Sequence, residues 1–258
     1  MEGKMPAIFI GHGSPMNVVS KNDFTKHLSA LGKQISRPEA ILVVSAHWLT
    51  RGTHMTCMEK PRQIYDFYGF PKELYTVKYS CSGAPHHAAL TKAAVKDIAI
   101  NCSDDWGLDH ASWAVLKHMY PAADIPVYEL SLDMTRDLPF HYNLGKALGG
   151  LRKKGILIIG SGNLVHNLSL MDYDTDAESD EWVVGIDEKI KDCLMAKNHS
   201  DLINYHKLDP RILKAVPTLD HYLPMLYILG MQGEDDKLRF VHEGYQNNTI
   251  SMRCFILE

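Results

Sequence analysis

Three histidines lie at the ends of apolar, β-branched stretches of the sequence. His12 comes after AIFI (residues 7–10), His47 lies near the end of AILVVSAHW (40–48), and His166 follows GILIIGS (155–161). Such stretches predict strands that are covered on both faces. Because ligands in open α/β sheets bind outside the carboxyl ends of strands, we expect these imidazoles to share one crevice. Neutral imidazole binds zinc, iron and copper, so the pattern predicts a metal site.

Each of these histidines also has a simpler interpretation. The GHGSPM segment around His12 could be a phosphate-binding loop at the start of a helix. However, it lacks the third glycine of the dinucleotide fingerprint, and Pro15 has no N–H to donate. His47, beside Trp48, could be a hydrogen-bonded core histidine. The metal interpretation is favoured because all three histidines occupy equivalent places.

Two further histidines lie beside an acidic residue. His221 follows Asp220 in TLDHYLPMLY, and a neighbouring carboxylate can orient the ring of a ligand histidine. His110 follows Asp109 in DWGLDHASW, an aromatic setting in which a histidine can serve as general acid or base. The alternative in both cases is a helix start capped by Thr218, Asp220 or Asp109, with an uninvolved histidine.

Other catalytic groups are poorly supported. There is no G-x-S-x-G motif, and Ser161 in GSGN has no recognisable triad order. The five cysteines are odd in number and form no C-x-x-C pair, which argues against a disulfide framework and against a thiolate zinc site. We predict structural or solvated roles for a group of histidines without comparable context: His54, His86, His87, His118, His141, His199, His206 and His242.

Periodicity predicts the fold class. Strands are expected at residues 7–10, 40–48, 126–132 and 155–161, and helices at 85–100, 140–155 and 181–197. Near the end, KLRFVHE and TISMRCFIL alternate like antiparallel strands with one more exposed face. With no repeat or linker, the sequence predicts a single three-layer α/β/α domain over residues 1–258, with a mixed, largely parallel central sheet.

Composition excludes several classes of partner. The net charge of -4 gives no basic surface for nucleic acid or an anionic membrane. The longest apolar stretch, YLPMLYILGM, is shorter than the roughly 18 residues of a membrane helix. AIFI is too short for the core of a secretory signal, so a cytoplasmic protein is expected. The sequence does not indicate an oligomeric state.

Six motifs occur in a distinctive order: GHGSPMN, SAHW, DFYGFP, GLDHASW, GSGNLVHN and DHYLP. Together with the closing EGYQNNTISMRCF, they resemble the bacterial 4,5-DOPA extradiol dioxygenase family of the class III extradiol ring-cleavage superfamily. The resemblance implies cleavage of DOPA or a similar substituted catechol outside the diol, with O2 as the second substrate. It also implies one divalent metal per chain, with Fe(II) expected for catalysis and Zn(II) as the ion commonly found.

The resemblance also assigns residues. It makes His12, His47, His166 and His221 the metal ligands, and His110 the main acid/base candidate. Some superfamily members use two histidines and a carboxylate, with a further histidine as acid/base, so His166 or His221 could instead serve as that base. The segment Tyr65, Asp66 and Phe67 resembles a wall of the substrate pocket. The family usually has Gly where this chain has Ala111, a departure expected to tighten the pocket.

Two other functions use the same histidines. A zinc hydrolase would activate water at the site, although no H-E-x-x-H motif supplies a general-base glutamate. A non-catalytic protein would bind the metal or a small molecule without turnover.

Overall fold

An eight-stranded sheet forms the centre of the computed structural model, which describes residues 3–258. The strands are β1 (Ala7–Gly11), β2 (Ala40–Thr50), β3 (Thr53–Thr56), β4 (Ile100–Ser103), β5 (Val127–Asp133), β6 (Ile156–Gly162), β7 (Leu238–His242), β8 (Tyr245–Gln246), β9 (Ile250–Ser251) and β10 (Cys254–Leu257). The order across the sheet is β4-β3-β5-β2-β6-β1-β10-β7, and β8 pairs separately with β9. The pairs β1–β6, β6–β2, β2–β5 and β3–β4 are parallel, whereas β3–β5, β1–β10 and β10–β7 are antiparallel.

Helices cover both faces of this sheet. They are α1 (Asp23–Gln34), α2 (Pro85–Ala94), α3 (His110–Met119), α4 (Leu138–Leu148), α5 (Glu181–Met195), α6 (His199–Ile203), α7 (Ile212–Ala215) and α8 (Leu223–Gly230). Successive side chains of a strand point to opposite faces, so Ile8 belongs to the core on the side of α1 and α3, whereas Phe9 belongs to the core on the side of α2, α4, α5 and α8. The predicted three-layer α/β/α fold with a mixed, largely parallel sheet is therefore confirmed.

The strands that precede the predicted site are neighbours. In the order β2-β6-β1, all three run parallel, so their carboxyl ends lie at the same edge. The pairing of β2 with β5 is interrupted between Val44 and Leu49. This irregularity contains His47, and such interruptions re-aim side chains away from the regular pleat. The strand ends thus bring His12, His47 and the segment before His166 to one edge.

Three predictions about elements need correction. The helix predicted over 85–100 ends at Ala94, and β4 begins at Ile100. The short strands β3 and β4, which form one side of the sheet with β4 at its edge, were not predicted. The segment TISMRCFIL divides into β9 and β10, and β10 has no exposed face because all four of its residues are buried.

A disulfide joins Cys57 to Cys102, which corrects the expectation that the cysteines form no such framework. The parallel pairing of β3 with β4 brings these residues together across a sequence separation of 45. Spacing alone does not reveal that pairing. Cys81, Cys193 and Cys254 are free thiols. Within residues 3–258, no helix combines the length and apolar character needed to cross a membrane.

We expect the disulfide to stabilise the β3–β4 edge. A loop of this size restricts the unfolded chain, so its loss should lower the free energy of unfolding by about 2–4 kcal/mol. Urea denaturation with and without dithiothreitol measures this change. The double variant Cys57→Ser/Cys102→Ser should show the lower stability and no response to the reductant; a reductant effect of equal size in that variant would contradict the assignment.

Candidate metal centre

Backbone hydrogen bonds fix the positions of three of the predicted histidines. The His12 backbone N–H donates to the Gly162 carbonyl at 3.0 Å, which continues the pairing of β1 with β6. Gly13 then turns the chain with a φ of 62°, a left-handed conformation that favours glycine. The His47 N–H donates to the Ser45 hydroxyl at 3.1 Å. His221 precedes α8, and its carbonyl accepts the Asn163 N–H at 2.9 Å.

Three of the predicted ligands converge. His12 Nε2 lies 3.2 Å from His47 Nε2. The ring centroid of His221 is 5.2 Å from that of His12 and 5.0 Å from that of His47. One ring nitrogen from each of the three lies within 4.8 Å of the other two. The three side chains thus form one cluster.

Hydrogen bonds on the outer edges orient two of these rings. The Ser161 hydroxyl donates to the Ala111 carbonyl at 2.7 Å, so its oxygen accepts from His12 Nδ1 at 3.1 Å. His221 Nδ1 donates to Asp220 Oδ2 at 2.5 Å, which is the orienting contact predicted from the sequence. Nδ1 of each ring therefore carries a proton. In the neutral ring, Nε2 then has a lone pair that can bind a metal ion.

The fourth predicted ligand lies beside the cluster. The ring of His166 stacks on that of His221, with centroids 3.6 Å apart and an interplanar angle of 9°. It does not belong to the group whose three nitrogens lie within mutual reach. His166 therefore flanks the cluster, and its role as ligand or acid/base stays a prediction.

His110 also reaches the cluster, from the first residue of α3. Its ring centroid lies 4.2 Å from that of His47 and 5.4 Å from that of His12. Its Nδ1 lies 2.8 Å from Asp66 Oδ2. The alternative in which Asp109 caps this helix does not hold, since the Asp109 side chain makes no capping bond.

Burial disfavours the charged form of three of these imidazoles, those of His12, His47 and His166. Removal from water lowers the pKa of His12 and His47 well below the usual 6.5, and neighbouring histidines lower it further. The same causes lower the pKa of His166, again with burial as the largest. A charged imidazolium has no lone pair to offer, so this shift keeps the nitrogens available as ligands at neutral pH.

The donor set fits a divalent transition metal. Two nitrogens each about 2.1 Å from a tetrahedral ion are about 3.4 Å apart, and His12 Nε2 and His47 Nε2 are separated by 3.2 Å. Uncharged imidazoles suit zinc, iron and copper. His12, His47 and His221 could therefore hold one such ion.

Two buried carboxyl groups, Asp109 and Glu129, lie near the cluster. The sequence singled out only Asp109, as the acidic neighbour of His110. Asp109 Oδ2 accepts from the Ser45 hydroxyl at 2.6 Å, and the Asp109 N–H donates to Glu129 Oε1 at 2.9 Å. Burial, and then the charge of nearby Asp66, raise the pKa of Asp109 to about 6. Burial and the adjacent Asp109 raise the pKa of Glu129 well above its usual value. Glu129 lies 20 positions from Asp109 along the chain, and no sequence pattern connected it with the site.

The remaining histidines take other roles. His141 is buried and hydrogen-bonds the Tyr227 hydroxyl at 3.0 Å, and His118 Nε2 donates to the Asn17 carbonyl at 2.9 Å. His27, which the sequence did not single out, pairs with His242 on the surface, with their Nδ1 atoms 2.9 Å apart. These contacts agree with the structural or solvated roles predicted for this group.

We expect Gly162→Ala to disturb the cluster. A Cβ at this position would overlap the His221 carbonyl oxygen and crowd Pro224, and such overpacking costs about 1–3 kcal/mol. Zn²⁺ affinity and thermal stability should both fall, measured by calorimetric titration and melting curves. Gly150→Ala, which meets nothing within 4 Å, is the matched control; equal losses in the two variants would contradict this role of Gly162.

Comparison with known proteins agrees with this geometry. Residues 6–254 match the family described as the catalytic LigB subunit of aromatic ring-opening dioxygenase. The chain is 40% identical over 253 residues to a 4,5-DOPA dioxygenase extradiol of Escherichia coli K12, covering 96% of this chain and 93% of the relative. A Mirabilis jalapa protein of the same name is 33% identical over 247 residues, covering 94% of this chain and 92% of the relative.

A solved structure extends the comparison to three dimensions. The crystal structure of an uncharacterized Escherichia coli K12 protein superposes with a TM-score of 0.86 and 36% identity, covering 98% of this chain and 100% of that one. The match of sequence and fold extends over nearly the whole chain. The chain belongs to the LigB family of class III extradiol dioxygenases, the aromatic ring-opening enzymes.

Proposed function

We propose that this extradiol dioxygenase opens the ring of DOPA or a similar substituted catechol, with O2 and one ferrous ion held by His12, His47 and His221. The observation that carries the proposal is the convergence of three imidazoles, with one nitrogen of each within 4.8 Å of the others. The names of the relatives, 4,5-DOPA dioxygenase extradiol, support the choice of substrate. Residues 1–258 are proposed to form one catalytic domain.

Iron is the metal that this reaction requires. A bound ferrous ion supplies the redox chemistry with dioxygen, which redox-inert zinc cannot supply. An imidazole site also binds zinc well, so purified protein is expected to carry zinc and to gain activity when iron replaces it.

Two histidines beside the ligands are placed to move protons. A catechol must lose a hydroxyl proton before its ring reacts with dioxygen, and a neutral imidazole can accept that proton. His110 Nδ1 faces the Asp66 carboxylate and donates to it, so in the neutral ring the lone pair lies on Nε2. Burial keeps His166 uncharged, so it can serve as a second acceptor beside His221.

Aromatic side chains close one side of the site. The Phe67 ring packs edge-on against His110 with centroids 5.6 Å apart, and Tyr65 packs edge-on against Trp113 at 5.5 Å. This wall excludes water from the side of His110 and offers an apolar surface to an aromatic ring. It supports the proposed substrate pocket around Tyr65, Asp66 and Phe67.

The two alternative functions, a zinc hydrolase and a non-catalytic binding protein, agree less well with the site. A zinc hydrolase of the H-E-x-x-H type uses a carboxylate that is free to accept a proton from water, whereas Asp66 is engaged by His110. Membership of a ring-opening dioxygenase family favours oxygen chemistry over hydrolysis and over binding alone.

Metal reconstitution tests the function. Metal-stripped protein loaded with Fe(II) should consume oxygen with one or more catechols and form a yellow ring-opened product, and Zn(II) should give neither. His12→Ala and His47→Ala should each lower the rate at least about 100-fold, while the exposed His86→Ala control should not. No oxygen uptake with Fe(II) across a panel that includes DOPA would overturn the proposal.

Metal binding should persist into mild acid. The pKa of His12 and His47 lies well below 6.5 because of burial, so protons compete weakly with the metal there until the pH falls further. Ligands of ordinary pKa would lose more than about tenfold in affinity between pH 7.5 and 6. Chelator competition for Zn²⁺ between pH 7.5 and 6 should show a smaller loss of Zn²⁺ affinity. A tenfold loss of affinity would contradict the proposed neutral state of His12 and His47.

A further inference from the structure

Asp66 contacts two histidines of the site at once. Its Oδ1 accepts the His110 backbone N–H at 2.9 Å, and its Oδ2 lies 2.8 Å from His110 Nδ1. The same Oδ2 lies 3.3 Å from His47 Nδ1. One carboxylate thus faces three nitrogen atoms from two separate elements.

Backbone pairing holds this carboxylate in place. The Ile64 N–H donates to the Leu108 carbonyl at 2.8 Å, and the Leu108 N–H donates to the Arg62 carbonyl at 2.8 Å. A Cβ at Gly107 would overlap that Arg62 carbonyl, so the close approach of the two segments requires glycine there. The segment before α3 therefore fixes the position of Asp66 relative to His110.

The carboxylate dictates where His110 carries its proton. A carboxylate only accepts hydrogen bonds, so His110 Nδ1 must donate, and its lone pair lies on Nε2. An Asn side chain has one accepting oxygen and one NH2 group. The NH2 group only donates hydrogen bonds, so it cannot pair with another N–H. Asn at this position therefore cannot accept both the backbone N–H and Nδ1–H, and it favours the opposite tautomer.

We propose that Asp66 is the positioning residue of the site, holding His110 as the Nδ1–H tautomer with Nε2 toward the substrate and contacting the ligand His47 through the same oxygen. The inference rests on the proposed function, because it presupposes a proton-transfer role for His110. Asp66 acts through the two histidines and not on the substrate itself.

NMR of the full chain tests the tautomer directly. Two-bond ¹H–¹⁵N spectra are recorded on ¹⁵N-histidine-labelled protein, first metal-free and then with Zn²⁺, and should show His110 with a protonated Nδ1. The signals of His110 are assigned as those that disappear in His110→Gln. Asp66→Asn should move His110 to the Nε2–H tautomer or a mixture. Asp66→Glu keeps an acceptor-only group and should retain Nδ1–H. Glu73→Gln removes an exposed charge from the same stretch and should change nothing.

Steady-state kinetics test whether Asp66 affects catalysis. At saturating Fe(II), Asp66→Asn should lower kcat by about 10–100-fold with KM changed less than threefold, and Asp66→Glu should recover part of the loss. An unchanged His110 tautomer in Asp66→Asn, or a wild-type kcat, would overturn the inference. A wild-type protein that consumes no oxygen would overturn the proposed function instead, and the NMR result would still decide whether Asp66 sets the tautomer.

Discussion

The site depends on a buried group of imidazoles whose inner ring nitrogens face one another. Burial disfavours the charged form, but it does not decide which nitrogen of each ring carries the proton. Acceptors on the outer edges decide that: Ser161 for His12, Asp220 for His221 and Asp66 for His110. The sheet thus brings the imidazole rings together, and the surrounding side chains set their tautomers.

The sheet was the part that the sequence predicted best. Continuous apolar stretches mark strands covered on both faces, and the parallel order β2-β6-β1 then places His12 and His47 at one edge. Asp220 was predicted as the partner of His221 because the two residues are adjacent in sequence. Local patterns therefore singled out the three histidines that converge and the one orienting residue that is adjacent to one of them in sequence.

The other orienting residues lie far from their histidines along the chain. Ser161 is separated from His12 by 149 positions, and Asp66 from His110 by 44. No periodicity connects such pairs; they meet through strand order and through the pairing of Ile64 with Leu108. The disulfide and the short strands β3 and β4 were missed for the same reason, because each depends on a neighbour that is distant in sequence.

The position of β10 has a consequence for how the enzyme is made. This last strand pairs with β1, and just before it Ser251 hydrogen-bonds Val165 and Asn163 behind the histidines. A nascent chain on the ribosome thus exposes His12 long before the residues that enclose it are synthesised. The surroundings of the histidine cluster are therefore completed only after residues 250–257 have been synthesised and have paired with β1 and with the segment before His166.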